Sequence, residues 1–306
     1  MVPPWAFARL PGTRVTVESC ETDTGVVQID SLNIDVVESA RRADAFRRDF
    51  EGRADGEADR LRELGARIVV SDAPPLAVAA ASRAGIPAIV VANFTWDWIY
   101  AFYGEFETLA PGAIAQIERA YSSAALALRL PIAGGFESMK AVVRDIPFIA
   151  RRSRRDRGDT RRILGLDAAR PAVLSSFGVR GLTLPYEHVE RSGVRVVAPE
   201  GPPAGLYYED LVAAVDAVVS KPGYGIVSEC AANGTPLLYT SRGRFAEYDV
   251  MVAEMPRFVR CRHMAQEALL EGRWRDDLDA LLAAEAPARP RTDGAAIAAS
   301  LILECG

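Results

Sequence analysis

A glycine-rich stretch in the second half of the sequence combines residue types that bind phosphate and sugar groups. The segment SKPGYGIVSECAANGTPLLYT (220–240) places Gly223 and Gly225 where a strand gives way to a helix, and Glu229 inside that helix. Glycines let the backbone approach an anion closely, and a helix N-terminus adds free N–H donors. A carboxylate repels phosphate but accepts hydrogen bonds from a ribose diol. The pattern predicts either a nucleotide pocket or a tight strand-to-helix turn without a ligand.

The elements that must position this loop alternate along the whole chain. In the first half we predict strands in TRVTVES (13–19), ARIVVSD (66–72) and IPAIVVANF (86–94), and helices at about 33–64 and 75–84. In the second half we predict strands in AVLSSFG (172–178), GVRVVAPEG (193–201), VDAVVSKPG (215–223), TPLLYTS (235–241) and RFVRCR (257–262), then helices at about 264–284 and 295–303. Continuously apolar, β-branched strands are typical of parallel sheets covered on both faces.

Two successive α/β halves predict two Rossmann-like domains with parallel sheets and a cleft between them. We expect the first domain at 1–150, a connector at 151–170, the second domain at 171–290 and a C-terminal helix at 291–306. Ligands of such sheets bind outside the carboxyl ends of the strands. The connector opens with RRSRRDRGDTRR (151–162), which carries seven arginines. This run is either a solvated linker or a contact for phosphate or an acidic membrane surface.

The composition is that of a soluble globular protein. The 306 residues are 49% hydrophobic and 25% charged with a net charge of −5, which gives no basic field for nucleic acid. Four cysteines lie far apart and there are two histidines, which favours a cytoplasmic protein with reduced thiols and no metal site. No apolar run reaches the roughly 20 residues that span a bilayer, and no secretory signal is evident.

Other polar residues follow predicted strands and are candidates for the same cleft. Ser176 and Gly178 follow the first strand of the second half, and could offer hydroxyl and N–H groups to phosphate. In the first half, Asp72 is either a catalytic base or acceptor contact, or the cap of the helix at Pro75. Asp97 lies in NFTWDWIY, where aromatic residues beside a carboxylate suit either sugar stacking or core packing.

The segment VSKPGYGIVSECAANGTPLLYTSRGRFAEYD resembles the nucleotide-sugar-binding part of GT-B glycosyltransferases. It is similar to the glycosyltransferase family 28 C-terminal domain and to the glycosyltransferase-like N-terminal region of plant L-arabinokinases. VVSDAPPLAVAAASRAGIPAIVVANFTWDWIY and GVVQIDSLNIDV resemble the arabinokinase-type group as well. The resemblance extends over most of the chain, and residues 220–229 are its most specific part.

The resemblance implies a hexosyltransferase that takes a UDP- or GDP-linked sugar as donor substrate and needs no further cofactor. The donor would bind the second domain and the acceptor the first. The implied roles are Gly223, Tyr224 and Gly225 along the diphosphate and nucleotide, Glu229 at the ribose, Ser176 and Gly178 near the diphosphate, and Arg242, Arg244 and Glu247 around the donor sugar.

The sequence departs from that group at its start. The group opens with a strand and a glycine/histidine loop of the type GHGxGH, which often supplies the catalytic base, whereas this sequence begins MVPPWAFARLPG. We expect one βα unit of about 30 residues to be missing, and the first sheet to expose an apolar edge. The alternative function is a non-catalytic nucleotide- or sugar-binding module. A sugar kinase ranks last, because no Walker pattern is present.

Overall fold

The computed structural model describes residues 15–177, 182–197 and 202–306 and contains two parallel β-sheets flanked by helices. Gly178, a predicted phosphate contact, lies outside the described residues. No helix within those ranges is long and apolar enough to cross a bilayer.

The first half forms a two-stranded antiparallel ladder and a four-stranded parallel sheet. The strands are β1 (Val27–Gln28), β2 (Ile34–Asp35), β3 (Val69–Ser71), β4 (Ala88–Phe94), β5 (Leu126–Gly134) and β6 (Val143–Asp145). The helices are α1 (Val36–Arg48), α2 (Phe50–Glu63), α3 (Pro75–Ala84), α4 (Trp96–Ala101), α5 (Glu105–Leu109) and α6 (Ala113–Tyr121). Strands β1 and β2 pair with each other, and the larger sheet has the order β3-β4-β5-β6, so β3 is an edge strand with Val70 49% exposed.

The second half forms a five-stranded parallel sheet. Its strands are β7 (Ala172–Ser176), β8 (Arg195–Val197), β9 (Ala217–Ser220), β10 (Leu237–Tyr239) and β11 (Cys261–His263). Its helices are α7 (Arg157–Ile163), α8 (Tyr186–Arg191), α9 (Tyr208–Ala214), α10 (Tyr224–Asn233), α11 (Ala246–Glu254), α12 (Gln266–Glu271) and α13 (Arg275–Ala283). The strand order is β11-β10-β9-β7-β8, with every pairing parallel.

The predicted parallel strands are confirmed wherever the sequence is continuously apolar. All four residues of β9 are buried, and so are the first four of β7. Apolar side chains on both faces of this sheet pack under helices, in two separate core clusters. Helix α3 begins at Pro75 and ends before Gly85, whose φ of 74° suits a glycine C-cap, as predicted.

Two predicted strands are corrected and one strand was missed. The predicted strand RFVRCR (257–262) is a strand only from Cys261 on, because a 3-10 turn ends at Arg257. Residues 15–19 of the predicted strand TRVTVES are in no strand, and Val15 and Val17 are 48% and 60% exposed, because no neighbouring element covers them. The longest strand of the first sheet, β5 (LALRLPIAG), was not predicted. Arg129 and Pro131 interrupt its apolar pattern, but Arg129 pairs with Asp145 on the adjacent β6 at 2.6 Å.

The arginine-rich connector lies along the helices of the second domain. Five of its seven arginines form ion pairs within the chain: Arg151 with Glu229, Arg155 with Asp210, Arg157 and Arg161 with Asp216, and Arg162 with Asp159. Most of the run therefore fastens the connector to the protein. Membrane contact stays a prediction.

The C-terminal helix α14 (Gly294–Cys305) returns to the first sheet. Its Ala298 is buried with Ile89 and Leu128, which lie on β4 and β5. Before the helix, Asp293 forms an isolated antiparallel bridge with Ile149, and Gly294 N donates to Phe148 O at 3.1 Å. A Cβ at Gly294 would lie 2.1 Å from Pro147 O, so only glycine fits this crossing.

Candidate functional site

The strand order of the second sheet identifies its ligand crevice. From β7 the chain moves to β8 on one side and then to β9 on the other, so the order reverses between β7 and β9. Ligands of doubly wound sheets bind at the carboxyl end of such a switch point. Ser176 and Ser220 end the two strands side by side, and the Ser220 hydroxyl donates to the Ser176 carbonyl. The glycine-rich loop therefore begins at the expected crevice.

The loop glycines leave open space at the start of helix α10. Gly223 has an extended backbone with φ of −137°, and neither it nor Gly225 adopts the left-handed conformation that requires glycine. A Cβ at either position would meet no atom of the described chain within 4 Å. Neither backbone conformation nor internal packing accounts for these glycines. Close approach of a ligand to the backbone is compatible with this open space, and the contact of both glycines with a ligand stays a prediction.

Substitution of Gly225 by alanine is expected to distinguish a glycine that contacts a ligand from a glycine that only forms a turn. Alanine favours a helix by up to about 1 kcal/mol, so stability should stay equal or rise. Its methyl group would occupy the open space, so affinity for UDP or GDP should fall about tenfold, a loss of about 1.4 kcal/mol. Thermal unfolding and calorimetric titration measure the two effects. Gly56→Ala in α2, where a Cβ also meets nothing, is the matched control and should leave affinity unchanged. Unaltered affinity in Gly225→Ala would make the glycine a turn residue only.

Tyr224 lies between the two domains. Its ring centroid is 6.0 Å from that of Phe148 at an interplanar angle of 30°, and it packs against core residues of both sheets. Burial raises the pKa of its hydroxyl, which has no hydrogen-bond partner among the described residues. The sequence predicted that Tyr224 lines the diphosphate and nucleotide. The ring contributes to the junction of the domains, and its contact with a nucleotide stays a prediction.

Two cations near the crevice form no direct ion pair with a described residue, although the Asp30 charge acts on Lys221 and the Glu247 charge acts on Arg242. Arg242 is 8% exposed, and its Cζ lies 3.4 Å from the ring centroid of Phe245. Lys221 follows β9 directly, and burial together with the nearby Arg242 charge lowers the pKa of its ammonium group to about 8, although Asp30 acts in the opposite direction. Burial likewise lowers the pKa of Arg242. Neither side chain forms a hydrogen bond or ion pair with any residue in the described ranges.

Like charges buried together are unfavourable unless an anion joins them. The turn between β1 and β2, which belongs to the first domain, lies beside these two cations. Ser31 Oγ donates to Phe177 O at 2.6 Å, and the charge of Asp30 acts on Lys221. The crevice is thus a positively charged space bounded by both domains. Such a space attracts phosphate.

The segment after Arg242 is fastened to the first domain. Asn93 Nδ2 donates to Glu247 Oε1 at 2.9 Å, and burial raises the pKa of the Glu247 carboxyl. The Tyr103 hydroxyl donates to Arg244 O at 3.0 Å and accepts from Ala246 N at 3.2 Å, so it caps the start of α11. Arg242 and Glu247 of the predicted donor-sugar set therefore lie at the crevice.

The Arg244 side chain points away from this set. It is exposed, and it pairs with Glu105 of α5 at 3.3 Å. Unlike Arg242, it already has an anionic partner. Its predicted contact with the donor sugar stays a prediction.

Glu229 is buried in α10 at 5% exposure and is held by the connector. Its Oε1 accepts from Arg151 Nε at 2.6 Å, and its Oε2 is buried without a partner among the described residues. The Arg151 guanidinium also lies 5.7 Å from the ring centroid of Tyr208, whose hydroxyl is hydrogen-bonded to Ser176 Oγ. Tyr208 and Arg151 thus link the predicted site residues Ser176 and Glu229.

The two candidate catalytic acids have different surroundings. Asp72 follows β3 and is exposed, yet adjacent protein displaces enough water to raise the pKa of its carboxyl. It does not cap α3, whose N-cap is Pro74. Asp97 is 7% exposed, accepts from Ser138 Oγ at 3.0 Å, and leaves Oδ1 buried without a described partner. No hydrogen bond or ion pair joins either acid to the cation pair. Their catalytic role stays a prediction.

Three important residues of this site were not predicted: Lys221, Arg151 and Tyr208. Lys221 had a usable signal, since it directly precedes the glycine loop at a strand end. Arg151 and Tyr208 had none, because Arg151 is 78 positions from its partner Glu229. No cluster of His, Cys, Asp or Glu in the described part of the chain could hold a metal ion.

No family model matches the sequence. The structure is similar to a solved one, the glycotransferase of kitacinnamycin. The two superpose with a TM-score of 0.52 at 16% identity, over 84% of this chain and 77% of that one. The fold is that of a GT-B glycosyltransferase.

The GT-B chain is also similar to L-arabinokinase from Arabidopsis thaliana, with 29% identity over 322 residues. That match covers 97% of this chain and 30% of the relative, so the chain spans less than a third of its length. The resemblance seen in the sequence is thereby confirmed.

Proposed function

We propose that this chain binds a UDP- or GDP-linked sugar against its second sheet and transfers the hexosyl group to an acceptor held by the first domain. The observation that carries the proposal is two cations, the half-buried Lys221 and the buried Arg242, that follow neighbouring strands of the sheet and form no ion pair with a described residue. A nucleoside diphosphate supplies the missing negative charge. The open backbone at Gly223 and Gly225 leaves room for its phosphates.

The same cations would assist the reaction itself. When the bond to the sugar breaks, negative charge grows on the departing diphosphate, and fixed positive groups stabilise that charge best in a site sheltered from water. The planar guanidinium of Arg242 can form bidentate hydrogen bonds with two phosphate oxygens, whereas the ammonium group of Lys221 acts as a point charge. Glu229 would accept from the ribose, and Glu247 with Asn93 would contact sugar hydroxyls.

Nucleotide binding at pH 8 is expected to take up protons, which tests the proposal directly. Lys221 has a pKa of about 8, so about half of these side chains are neutral at that pH. A bound diphosphate favours the ammonium form and raises this pKa, so uptake by Lys221 should approach 0.5 proton per site at pH 8. Its contribution should be almost zero near pH 6, where the terminal phosphate of the free nucleotide itself titrates. Affinity should correspondingly decline above pH 8. Calorimetric titration of UDP and GDP in buffers of different ionisation enthalpy measures the uptake.

Lys221→Met is the control for the proton uptake. It should abolish the buffer dependence while leaving weaker binding. Failure of wild-type protein to bind either nucleotide would refute the proposed donor. Binding without any buffer dependence would exclude Lys221 from the contact.

A second candidate is a nucleotide-sugar-binding module without catalysis. It is favoured by the similarity to a protein of which this chain spans 30%, since the part that matches can serve a larger enzyme. Both candidates bind the same ligand, so turnover must decide. Release of UDP or GDP from a panel of nucleotide hexoses indicates the transferase, whereas tight binding with no release indicates the module.

A further inference from the structure

The buried carboxylate of Glu229 is only half satisfied. Oε1 accepts from Arg151 Nε at 2.6 Å and contacts Nη2 of the same guanidinium. Oε2 is also buried, yet within the described ranges no donor reaches it. A buried oxygen without a donor costs about 1–3 kcal/mol, more when charged, so the structure must supply a reason for keeping it.

The charged state of Glu229 depends on the groups around it. Burial raises the pKa of its carboxyl, Glu209 of α9 raises it further, and Arg151 lowers it. Tyr208 of α9 also faces the carboxylate, and Glu229 in turn raises the pKa of that phenol. Arg151 is therefore the one cation among these groups that keeps Glu229 ionised.

Arg151 is fixed in place by the backbone on which it sits. Asn233, at the end of α10, donates through Nδ2 to Arg151 O at 3.1 Å and to Glu229 O at 2.9 Å. Its Oδ1 accepts from Ser153 N at 3.0 Å. These bonds tie the start of the connector to the helix that carries Glu229, so the guanidinium is positioned before any ligand arrives.

We propose that Arg151 is a positioning residue for the donor ribose: it holds one oxygen of Glu229 and thereby presents the other to the 2′- and 3′-hydroxyls. This inference rests on the proposed function and deepens it. The connector between the domains, and not the glycine loop alone, then determines how strongly the chain distinguishes a ribonucleotide from its deoxy analogue. Arg151 acts through Glu229 and does not touch the reacting atoms.

The ratio of affinities for UDP and 2′,3′-dideoxy-UDP isolates this role, because both share base and diphosphate. Wild-type protein should favour UDP about tenfold or more from pH 6 to 8.5, as expected for hydrogen bonds to a charged group. In Arg151→Gln the pKa of Glu229 rises further, so its carboxylate is lost as the pH falls. The preference should therefore fall, and the loss should be larger at pH 6 than at pH 8.5. Arg151→Lys should be intermediate, since it keeps the charge with a single nitrogen.

Arg152→Gln is the matched control, since its arginine has no ion pair with any described residue, and it should retain the full ratio. An unchanged ratio and pH profile in Arg151→Gln would overturn the inference while leaving donor binding intact. Should that variant fail to fold, Arg151→Lys decides by the same criterion. If wild-type protein binds neither UDP nor GDP, the proposed function itself is wrong, and this role for Arg151 is wrong with it.

Discussion

Arg242→Gln is expected to weaken UDP binding about 100-fold, within the range found when one partner of a buried charge pair is truncated. Uridine, which lacks phosphate, should bind both proteins equally. The reason is that Arg242 is buried beside a second cation and forms no direct ion pair with a described residue, although the Glu247 charge acts on it, so a diphosphate would supply the anion that bonds to it directly. Calorimetric titration of both ligands at pH 7 measures the difference.

The same substitution should not harm the free protein. An unpaired buried cation costs folding free energy, so the glutamine variant should unfold at an equal or higher temperature. Arg244→Gln is the matched control two residues away. Its exposed ion pair with Glu105 contributes about 0–1 kcal/mol at most, and UDP affinity should change little. Equal losses in the two variants, or a parallel loss of uridine binding, would contradict the anion site.

Tyr224→Ala is expected to lower the free energy of unfolding by about 3 kcal/mol, as for other large aromatic residues removed from a core. The effect is large because the ring packs against core residues of both sheets and stacks on Phe148. Urea unfolding measures it. Tyr224→Phe should instead stabilise the protein by about 1 kcal/mol, since it removes a buried hydroxyl that has no described partner.

The phenylalanine variant also tests the sequence-based role of Tyr224. UDP affinity should be unchanged if only the ring matters, because the hydroxyl is buried and the phenylalanine ring keeps the same packing. A clear loss of affinity would assign that hydroxyl to the ligand and restore the original prediction.

The sequence allowed the fold to be predicted where local pattern and burial agree. Strands such as AVLSS at β7 and AVVS at β9 are apolar on both faces, which only a covered parallel sheet explains. TRVTVES has the same local character, yet Val15 and Val17 have nothing to pack against. Strand β5 was missed because Arg129 interrupts its apolar pattern. In the structure the neighbouring strand β6 supplies Asp145 as a partner for that arginine. Pairing between distant segments decided both outcomes.

The site followed the same rule. The sequence motif predicted Glu229 and the glycines as site residues, and the family resemblance predicted Arg242. What Arg242 does depends on its closeness to Lys221, and what Glu229 does depends on Arg151. For the connector arginines the sequence predicted either a solvated linker or a contact with phosphate or a membrane. It did not predict the ion pair with Glu229, because charge patterns carry no information about a buried acid 78 residues away.

The return of α14 to the first sheet has a mechanical consequence. The chain passes between the domains twice, near Ile149 and near Asp293, and the two passages are bridged to each other with Gly294 packed tightly against Pro147. Two adjacent tethers remove most rotational freedom from a pair of rigid bodies. Opening of the crevice would then be mainly a rotation about the line through these two passages. It would also have to break the hydrogen bonds of Ser31 with Phe177 and of Asn93 with Glu247.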